Sequence, residues 1–255
     1  MALIDLDFFS ETLGMHSSVT VIIPQRGSRG QIGADQKAGG VEYRVLYLLH
    51  GLSDDNTIWL RRTSVERYSE KYGICVVMPN CHRSFYTDMK YGGAYYTFLT
   101  RELPMRMKEF FKISDRREDT FIAGLSMGGY GALKAAMREP QQYAAGAGLS
   151  AVVDIKSFYA QWKDAVYAIT GGEEVTPEED LYELADIHKY GEIKPRLYIG
   201  CGRQDMLYES NQAFLPKLKE CGYDLTYRES DGNHNWAFWD EYIQYVLEWM
   251  FGGKK

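Results

Sequence analysis

The residues best suited to covalent chemistry lie in the run Gly124-Leu125-Ser126-Met127-Gly128. This G-x-S-x-G pattern follows a predicted strand and precedes a predicted helix, the setting in which a serine nucleophile sits on a sharp turn. Glycines are expected two residues before and after the serine, because side chains there would collide in so tight a turn. Since the sequence has neither G-x-x-x-x-G-K-[ST] nor a clean G-x-G-x-x-G, a phosphate-binding loop is disfavoured. The pattern therefore predicts Ser126 as a nucleophile.

A serine hydroxyl needs a base, which is expected later in the chain, with an acid between the two. His234 is the only histidine after His188, and it lies in a polar loop before the last predicted helix. Asp205 follows a predicted strand at the carboxyl edge of the sheet, so it is the preferred residue to orient the imidazole. His188 and Asp231 remain weaker alternatives. The chain order predicts a triad of Ser126, Asp205 and His234.

An oxyanion formed at the serine would need backbone N–H donors. Met127 is the first residue of a predicted helix, where N–H groups are free and the partial charge is positive. The second donor is expected to be Leu52, which comes just after a buried predicted strand and the dipeptide His50-Gly51. His50 is expected to brace this loop rather than to take part in catalysis.

The elements that must position these residues alternate between strands and helices. This alternation predicts an α/β protein with a mainly parallel central sheet and helices on both faces. We expect one domain over residues 1–255, with a cap-like insertion at about 154–190 over the active site and a glycine-rich surface loop at 25–40. Strands are predicted at 18–24, 41–49, 74–79, 120–124, 147–150, 196–199 and 224–228, and helices at 57–72, 96–111, 127–138, 209–221 and 236–251.

Aromatic side chains are frequent in the expected insertion and could form either ordinary core or a pocket wall. They are Phe158, Tyr159, Trp162 and Tyr167. Trp59, Trp236 and Trp239 could add to the same apolar surface.

Composition excludes several classes of protein. The 255 residues carry 29 Lys and Arg against 35 Asp and Glu, a net charge of -6, so a nucleic-acid or anionic-membrane binder is not expected. Apolar runs are far shorter than the roughly twenty residues of a membrane span. The four cysteines form no C-x-x-C pair and the five histidines have no zinc-site spacing, so free thiols, no metal and no cofactor are expected.

Three longer segments resemble the tributyrin esterase family, within the esterase D group of α/β-hydrolases. They are Leu46-Tyr47-Leu48-Leu49-His50-Gly51-Leu52, the run from Phe121 to Ala132, and Asn233-His234-Asn235-Trp236 followed by Phe238-Trp239-Asp240. The likeness spans Phe8 to Trp249. It implies an α/β-hydrolase fold and a serine carboxylesterase that uses the three residues already selected.

The expected reaction is hydrolysis of short-chain acyl esters through an acyl-enzyme, with activity falling below about pH 6 to 7 as a histidine base becomes protonated. A feruloyl or acetyl-sugar esterase, a thioester hydrolase of the S-formylglutathione type and a non-catalytic binding protein remain alternatives. The N-terminus has no basic leader, so a cytoplasmic location is expected. The partner would be a small-molecule ester, and a homo-oligomer stays open.

Overall fold

Within the described residues, one eight-stranded sheet lies at the centre of the fold. The computed structural model describes residues 1–25 and 42–253, except the side chains of residues 164 and 165, so the loop expected at 25–40 falls almost wholly outside the described residues. The strand order is β1-β2-β4-β3-β5-β6-β7-β8. The strands are β1 Ala2–Ser10, β2 Met15–Ile23, β3 Val45–Leu49, β4 Cys75–Pro79, β5 Thr120–Leu125, β6 Ala145–Leu149, β7 Arg196–Gly202 and β8 Leu225–Ser230.

The direction and register of the strands bring several loops to one edge. β1 and β2 pair antiparallel, as do β2 and β4, whereas all pairs from β4 to β8 are parallel. Leu49 at the end of β3 lies opposite Gly124, and Leu149 at the end of β6 lies opposite Leu125 and Gly200. The residues that follow β3, β5, β6 and β7 therefore meet at the carboxyl edge, where α/β proteins bind ligands.

Both faces of the sheet are covered by helices. In β3, Val45 and Tyr47 pack into one buried cluster and Leu46 into the other, as the alternation of side chains along a strand requires. Helices α1, α2 and α10 cover one face, and α3 to α9 the other. The mainly parallel sheet and its two helical layers confirm the predicted fold class. The helices are α1 Ile58–Arg62, α2 Val65–Glu70, α3 Tyr95–Thr97, α4 Leu103–Phe110, α5 Met127–Arg138, α6 Ile155–Gln161, α7 Lys163–Thr170, α8 Leu181–Ile187, α9 Tyr208–Glu220 and α10 Trp236–Phe251; a π-helical turn at Phe98–Glu102 joins α3 to α4.

The single helix expected at 57–72 is wrong, because the chain forms α1 and α2 with a break at Thr63. The backbone of Thr63 is extended, with φ -136° and ψ 173°. Its hydroxyl donates to the Trp59 carbonyl at 2.6 Å and accepts the Val65 N–H at 3.1 Å. A threonine side chain that bonds the local backbone in this way competes with helical hydrogen bonds, which explains the break.

The N-terminal strand β1 was not expected from the sequence. Its side chains alternate between exposed and more buried positions, with Asp5 and Asp7 on the exposed side. At the opposite edge of the described sheet, β8 pairs with β7 and carries the adjacent charged residues Arg228 and Glu229. Both edge strands thus carry charge.

The segment expected to be an insertion folds as α6, α7 and α8 and is fastened to α5. The Glu179 carboxylate accepts hydrogen bonds from Arg138, at 3.1 Å, and from the fully buried Lys134. The Tyr130 hydroxyl donates to the Glu179 carbonyl at 2.6 Å. The insertion is therefore held against the helix that begins next to Ser126.

The aromatic residues of the insertion divide between core and surface. Phe158 and Tyr159 pack against Phe85, with ring centroids 5.2 and 5.5 Å apart, whereas Trp162 and Tyr167 are about half exposed. A cavity of about 620 Å³ is lined by residues of the insertion, among them Tyr159 and Tyr167. The aromatic rings of the insertion therefore form both core and the wall of a cavity. The expected position of the insertion over the active site remains a prediction. In the described part of the chain, no helix is long and apolar enough to span a membrane.

Candidate active site

Ser126 lies on a strained turn between β5 and α5. Its φ of 53° and ψ of -116° are rare for a residue with a side chain. A Cβ on Gly124 would lie 2.3 Å from the Gly128 carbonyl oxygen, and one on Gly128 would lie 2.5 Å from the Leu49 carbonyl oxygen. The Ser126 N–H donates to the Leu149 carbonyl at 2.8 Å. Only glycine fits two residues before and two residues after this serine, and the turn is fixed to the neighbouring strand.

The structure brings His234 and Asp205 to this serine. His234 Nε2 lies 3.1 Å from Ser126 Oγ, and His234 Nδ1 lies 2.9 and 3.1 Å from the two carboxylate oxygens of Asp205. The Asp205 side chain is fully buried, whereas that of His234 is 20% exposed. The arrangement joins a serine hydroxyl, an imidazole that solvent can reach and a buried carboxylate by direct hydrogen bonds, as a triad of this kind requires.

Two loops are paired so that acid and base meet. The Gln204 N–H donates to the Gly232 carbonyl at 3.0 Å, and the Gly232 N–H donates to the Gln204 side-chain oxygen at 2.7 Å. Asp231, the alternative acid, is 83% exposed and pairs with Arg203 at 3.3 Å instead. Asp205 is thus the acid that the fold places against His234.

The environment of Asp205 keeps its carboxyl ionised. Burial alone would raise its pKa, but the hydrogen bond from His234, the Leu207 N–H at 2.9 Å and the charge of His234 lower the pKa overall. A negative carboxylate in this position would stabilise an imidazolium at His234.

The other side of Ser126 is formed by the loop after β3. A Cβ on Gly51 would lie 3.9 Å from Ser126 Cβ, so this loop passes directly beside the serine. His50 is fully buried in it; its Nε2 accepts the Cys81 N–H at 3.0 Å and its Nδ1–H donates to the Gly51 carbonyl at 2.7 Å. Burial lowers the pKa of His50 to about 4, so the ring is neutral near pH 7. His50 braces the loop by two hydrogen bonds.

Three successive carbonyls of this loop are occupied. Trp59 Nε1–H donates to the Leu49 carbonyl at 3.0 Å, the Tyr86 hydroxyl donates to the His50 carbonyl at 2.8 Å, and His50 bonds that of Gly51. Because the N–H of a trans peptide points away from its carbonyl, these bonds also fix the directions of the following N–H groups. The orientation of the Leu52 N–H is therefore set by His50.

The N–H groups expected to hold an oxyanion are available. Burial raises the pKa of the Asp54 carboxyl, and a backbone hydrogen bond from Gly51 only partly offsets this effect. Within residues 1–25 and 42–253, no acceptor bonds the Leu52 N–H. Met127 is the first residue of α5, where a helix leaves its N–H groups without an internal partner.

Several supporting residues were given no role by the sequence. Trp59, Trp236 and Trp239 form a chain of edge-to-face contacts, with centroids 5.2 Å apart at each step. Trp239 also packs edge-on against His234 at 4.9 Å and donates its Nε1–H to the Ser150 hydroxyl at 3.1 Å. The sequence indicates the tryptophans only as apolar surface, and no local pattern marks Ser150, since its partners are distant in sequence.

The sheet order, the turn at Ser126 and the coverage of both faces define an α/β-hydrolase, and comparisons with known proteins give its chemistry. Residues 35–249 match the model of the Esterase family, described as "Putative esterase". An acetyl esterase of Caldicellulosiruptor saccharolyticus is 30% identical, with 98% of each chain covered.

Two solved structures from Staphylococcus aureus are similar over 98% of both chains at 36% identity. One is the fluorophosphonate-binding serine hydrolase F, with a TM-score of 0.88, and the other is an S-formylglutathione hydrolase, with a TM-score of 0.85. The chain belongs to the Esterase family and to its esterase D and S-formylglutathione hydrolase-like group, which confirms the resemblance stated from the sequence. It is a serine ester hydrolase.

Proposed function

We propose that this protein is a carboxylesterase that hydrolyses short-chain acyl esters, with Ser126 as nucleophile, His234 as general base and Asp205 as the residue that orients the base. The observation that carries this proposal is the 3.1 Å contact between Ser126 Oγ and His234 Nε2. It lies on a turn that requires glycine at positions 124 and 128. The acetyl esterase relative supports a short acyl group.

The reaction proceeds in two halves. Ser126 Oγ attacks the ester carbonyl carbon while its proton passes to His234 Nε2, and the negative charge that forms on the carbonyl oxygen is held by the N–H groups of Leu52 and Met127. Collapse of this intermediate breaks the bond to the alcohol, which leaves with the proton from His234. Water then attacks the acyl-enzyme in the same way and releases the acid and free Ser126.

The main alternative is a thioester hydrolase of the S-formylglutathione type. The similarity to the S-formylglutathione hydrolase of S. aureus favours this alternative. The same residues would perform it, because a thioester carbonyl passes through the same tetrahedral oxyanion and releases a thiol instead of an alcohol. Feruloyl and acetyl-sugar esters remain further alternatives. Substrate preference, rather than the catalytic groups, separates all of these functions.

The decisive experiment compares substrates on wild type and on Ser126→Ala. The panel is p-nitrophenyl acetate, butyrate and octanoate, methyl ferulate and S-formylglutathione. We expect the acetate and butyrate esters to be hydrolysed fastest, and Ser126→Ala to lose about 10⁴-fold or more in kcat, because the nucleophile is gone. Ser157→Ala, an exposed serine at the start of α6, is the matched control and should keep full activity.

Each other outcome has a defined meaning. A strong preference for S-formylglutathione or for methyl ferulate would replace the short-chain assignment with that alternative. Equal turnover by wild type and Ser126→Ala would remove Ser126 from the mechanism. Labelling by a fluorophosphonate probe in wild type, but not in Ser126→Ala, would establish which serine reacts.

A further inference from the structure

Ser150 occupies an unusual position beside the proposed acid. It follows β6 at the carboxyl edge of the sheet and is completely buried. Its φ of 47° lies in the left-handed region, which residues other than glycine rarely adopt. Its N–H donates to the Gly200 carbonyl in β7 at 2.7 Å. The backbone of Ser150 is thus held in a costly conformation that turns its side chain into the protein interior.

The hydroxyl of Ser150 has few choices of partner. It accepts the Trp239 Nε1–H at 3.1 Å, which leaves its single hydrogen to be donated elsewhere. The Ser150 hydroxyl helps to lower the pKa of the Asp205 carboxyl and also that of the Cys201 thiol, so both groups are its neighbours. Burial raises the pKa of Cys201 to about 12, so the thiol is neutral and a weak acceptor. The carboxylate is therefore the preferred acceptor of the Ser150 proton.

Trp239 contacts both members of the acid–base pair, one directly and one through Ser150. Its ring meets that of His234 nearly at right angles, at 89° and 4.9 Å between centroids. Its N–H fixes the Ser150 hydroxyl, which in turn faces Asp205. One indole on α10 thereby sets the position of the imidazole and the direction of a hydrogen bond to the acid.

We propose that Ser150 and Trp239 are positioning residues for the reaction, acting on Asp205 and His234 without touching the substrate. This inference rests on the proposed function. Ser150 adds a third kind of donor to the Asp205 carboxylate, beside His234 and the Leu207 N–H, and so fixes its rotation and disperses part of its charge. Trp239 limits the tilt of the His234 ring, on which the alignment of Nε2 with Ser126 Oγ depends.

The test measures kcat, KM and pH dependence for p-nitrophenyl acetate with Ser150→Ala and Trp239→Phe. For Ser150→Ala we expect kcat to fall about tenfold with KM changed less than about twofold, since only the alignment of the reacting groups is disturbed. Trp239→Phe keeps an aromatic edge against His234 but removes the N–H, so about a threefold fall is expected.

The pH profile separates positioning from mere structural support. The ionisable groups that face Asp205 are His234 and the neutral thiol of Cys201. Without the Ser150 hydroxyl, the carboxylate presents its full charge to His234 and stabilises the imidazolium more strongly. The acid limb of the kcat/KM profile should therefore move to higher pH in Ser150→Ala.

A second variant controls for backbone strain. Ser150→Gly also removes the hydroxyl, but glycine adopts a φ of 47° without strain. This variant should lose activity like Ser150→Ala and should be at least as stable as Ser150→Ala. Ser150→Cys, which has a weak donor of similar size, should recover part of the activity. Thermal unfolding of each variant and titration with a fluorophosphonate probe give the folded, reactive fraction to which kcat is normalised.

The outcomes distinguish this inference from the proposed function. An unchanged kcat and an unchanged acid limb in Ser150→Ala and Ser150→Gly, with only the unfolding temperature altered, would overturn the positioning role. If Ser126→Ala in the same assay keeps wild-type activity, the proposed function itself fails. A loss in both Ser150 variants, with a shifted limb and an inactive Ser126→Ala, supports both.

Discussion

The two sides of Ser126 are held in place by different kinds of group. On one side, Asp205 and His234 form a hydrogen-bonded pair whose charges matter. In each half of the proposed reaction His234 takes up a proton and gives it back, while Asp205 stays ionised. On the other side, the loop after β3 is held by His50, Tyr86 and Trp59, all neutral, which bond its backbone carbonyls.

The difference shows that, in one site, charged groups can act on one side of the serine while neutral groups hold the backbone in place on the other. On the first side His234 is partly exposed to water and can exchange protons with it, whereas on the second side His50, Tyr86 and Trp59 are buried and carry no charge near neutral pH. A change on the first side should therefore alter ionisation and rate together. A change on the second side should alter shape and stability without moving the dependence of rate on pH.

Among the changes that test this comparison of the two sides, the largest effect is expected from Asp205→Asn, which removes charge but little volume. The amide would favour the wrong tautomer of His234 and would not stabilise its protonated form, so kcat should fall about 10³- to 10⁴-fold with the fold kept. Asp231→Asn is the control, since Asp231 is exposed and does not contact His234. Hydrolysis of p-nitrophenyl acetate measures both; comparable losses in the two variants would contradict the different roles of the two acids.

A smaller effect concerns stability at acidic pH and arises from His50. Its pKa is about 4 in the folded protein and near 6.5 when unfolded, so the unfolded state binds the proton first as pH falls. Between about pH 6.5 and 4 the protein should lose up to about 3 kcal/mol of unfolding free energy from this residue. Asp205, whose pKa is lowered, adds a further loss only below about pH 4.

Urea unfolding at pH 7, 6, 5 and 4.5 measures this loss in wild type and in His50→Asn. The slope against pH should be smaller in the variant, whereas His16→Asn, a change at an exposed histidine of β2, should keep the wild-type slope. Direct NMR titration of the His50 ring gives an independent answer: a ring that takes up a proton above pH 6 would refute a buried neutral role.

The smallest effect is expected from Trp59→Phe on the neutral side. This change removes the N–H that bonds the Leu49 carbonyl but keeps most of the buried ring, so about 1 kcal/mol of stability and a few-fold in kcat should be lost. The acid limb of the pH profile should not move. Trp249→Phe, at the far end of α10, controls for loss of indole surface, and a shifted limb in Trp59→Phe would mean that the two sides are coupled.

Much of the sheet and the meeting of Ser126, Asp205 and His234 could be predicted, because strand periodicity is local and the turn motif fixes where each residue emerges. The part that could not be predicted depends on contacts between distant segments. No residue close to Ser150 in sequence indicates that Trp239 will donate a hydrogen bond to it. The break at Thr63 depends on the hydrogen bond of its hydroxyl to the Trp59 carbonyl, which the sequence does not indicate.

The insertion shows the same limit on the scale of a segment. Its aromatic spacing is compatible with core and with a pocket wall, and the structure uses Tyr159 for both. Its attachment to α5 through Glu179 and the buried Lys134 has no sequence pattern, because an acidic residue in an acidic stretch looks like solvated surface. The two charges are stable there only as partners.

The charges on the two edge strands bear on how this protein behaves when crowded. An open strand edge is a template on which another chain can add, and continued addition leads to aggregates. At β1, a neighbouring strand would lie beside Asp5 and Asp7, and at β8 beside the exposed Arg228, and these side chains would lose hydration. The pattern favours a sheet that ends where its own strands end, even at high concentration.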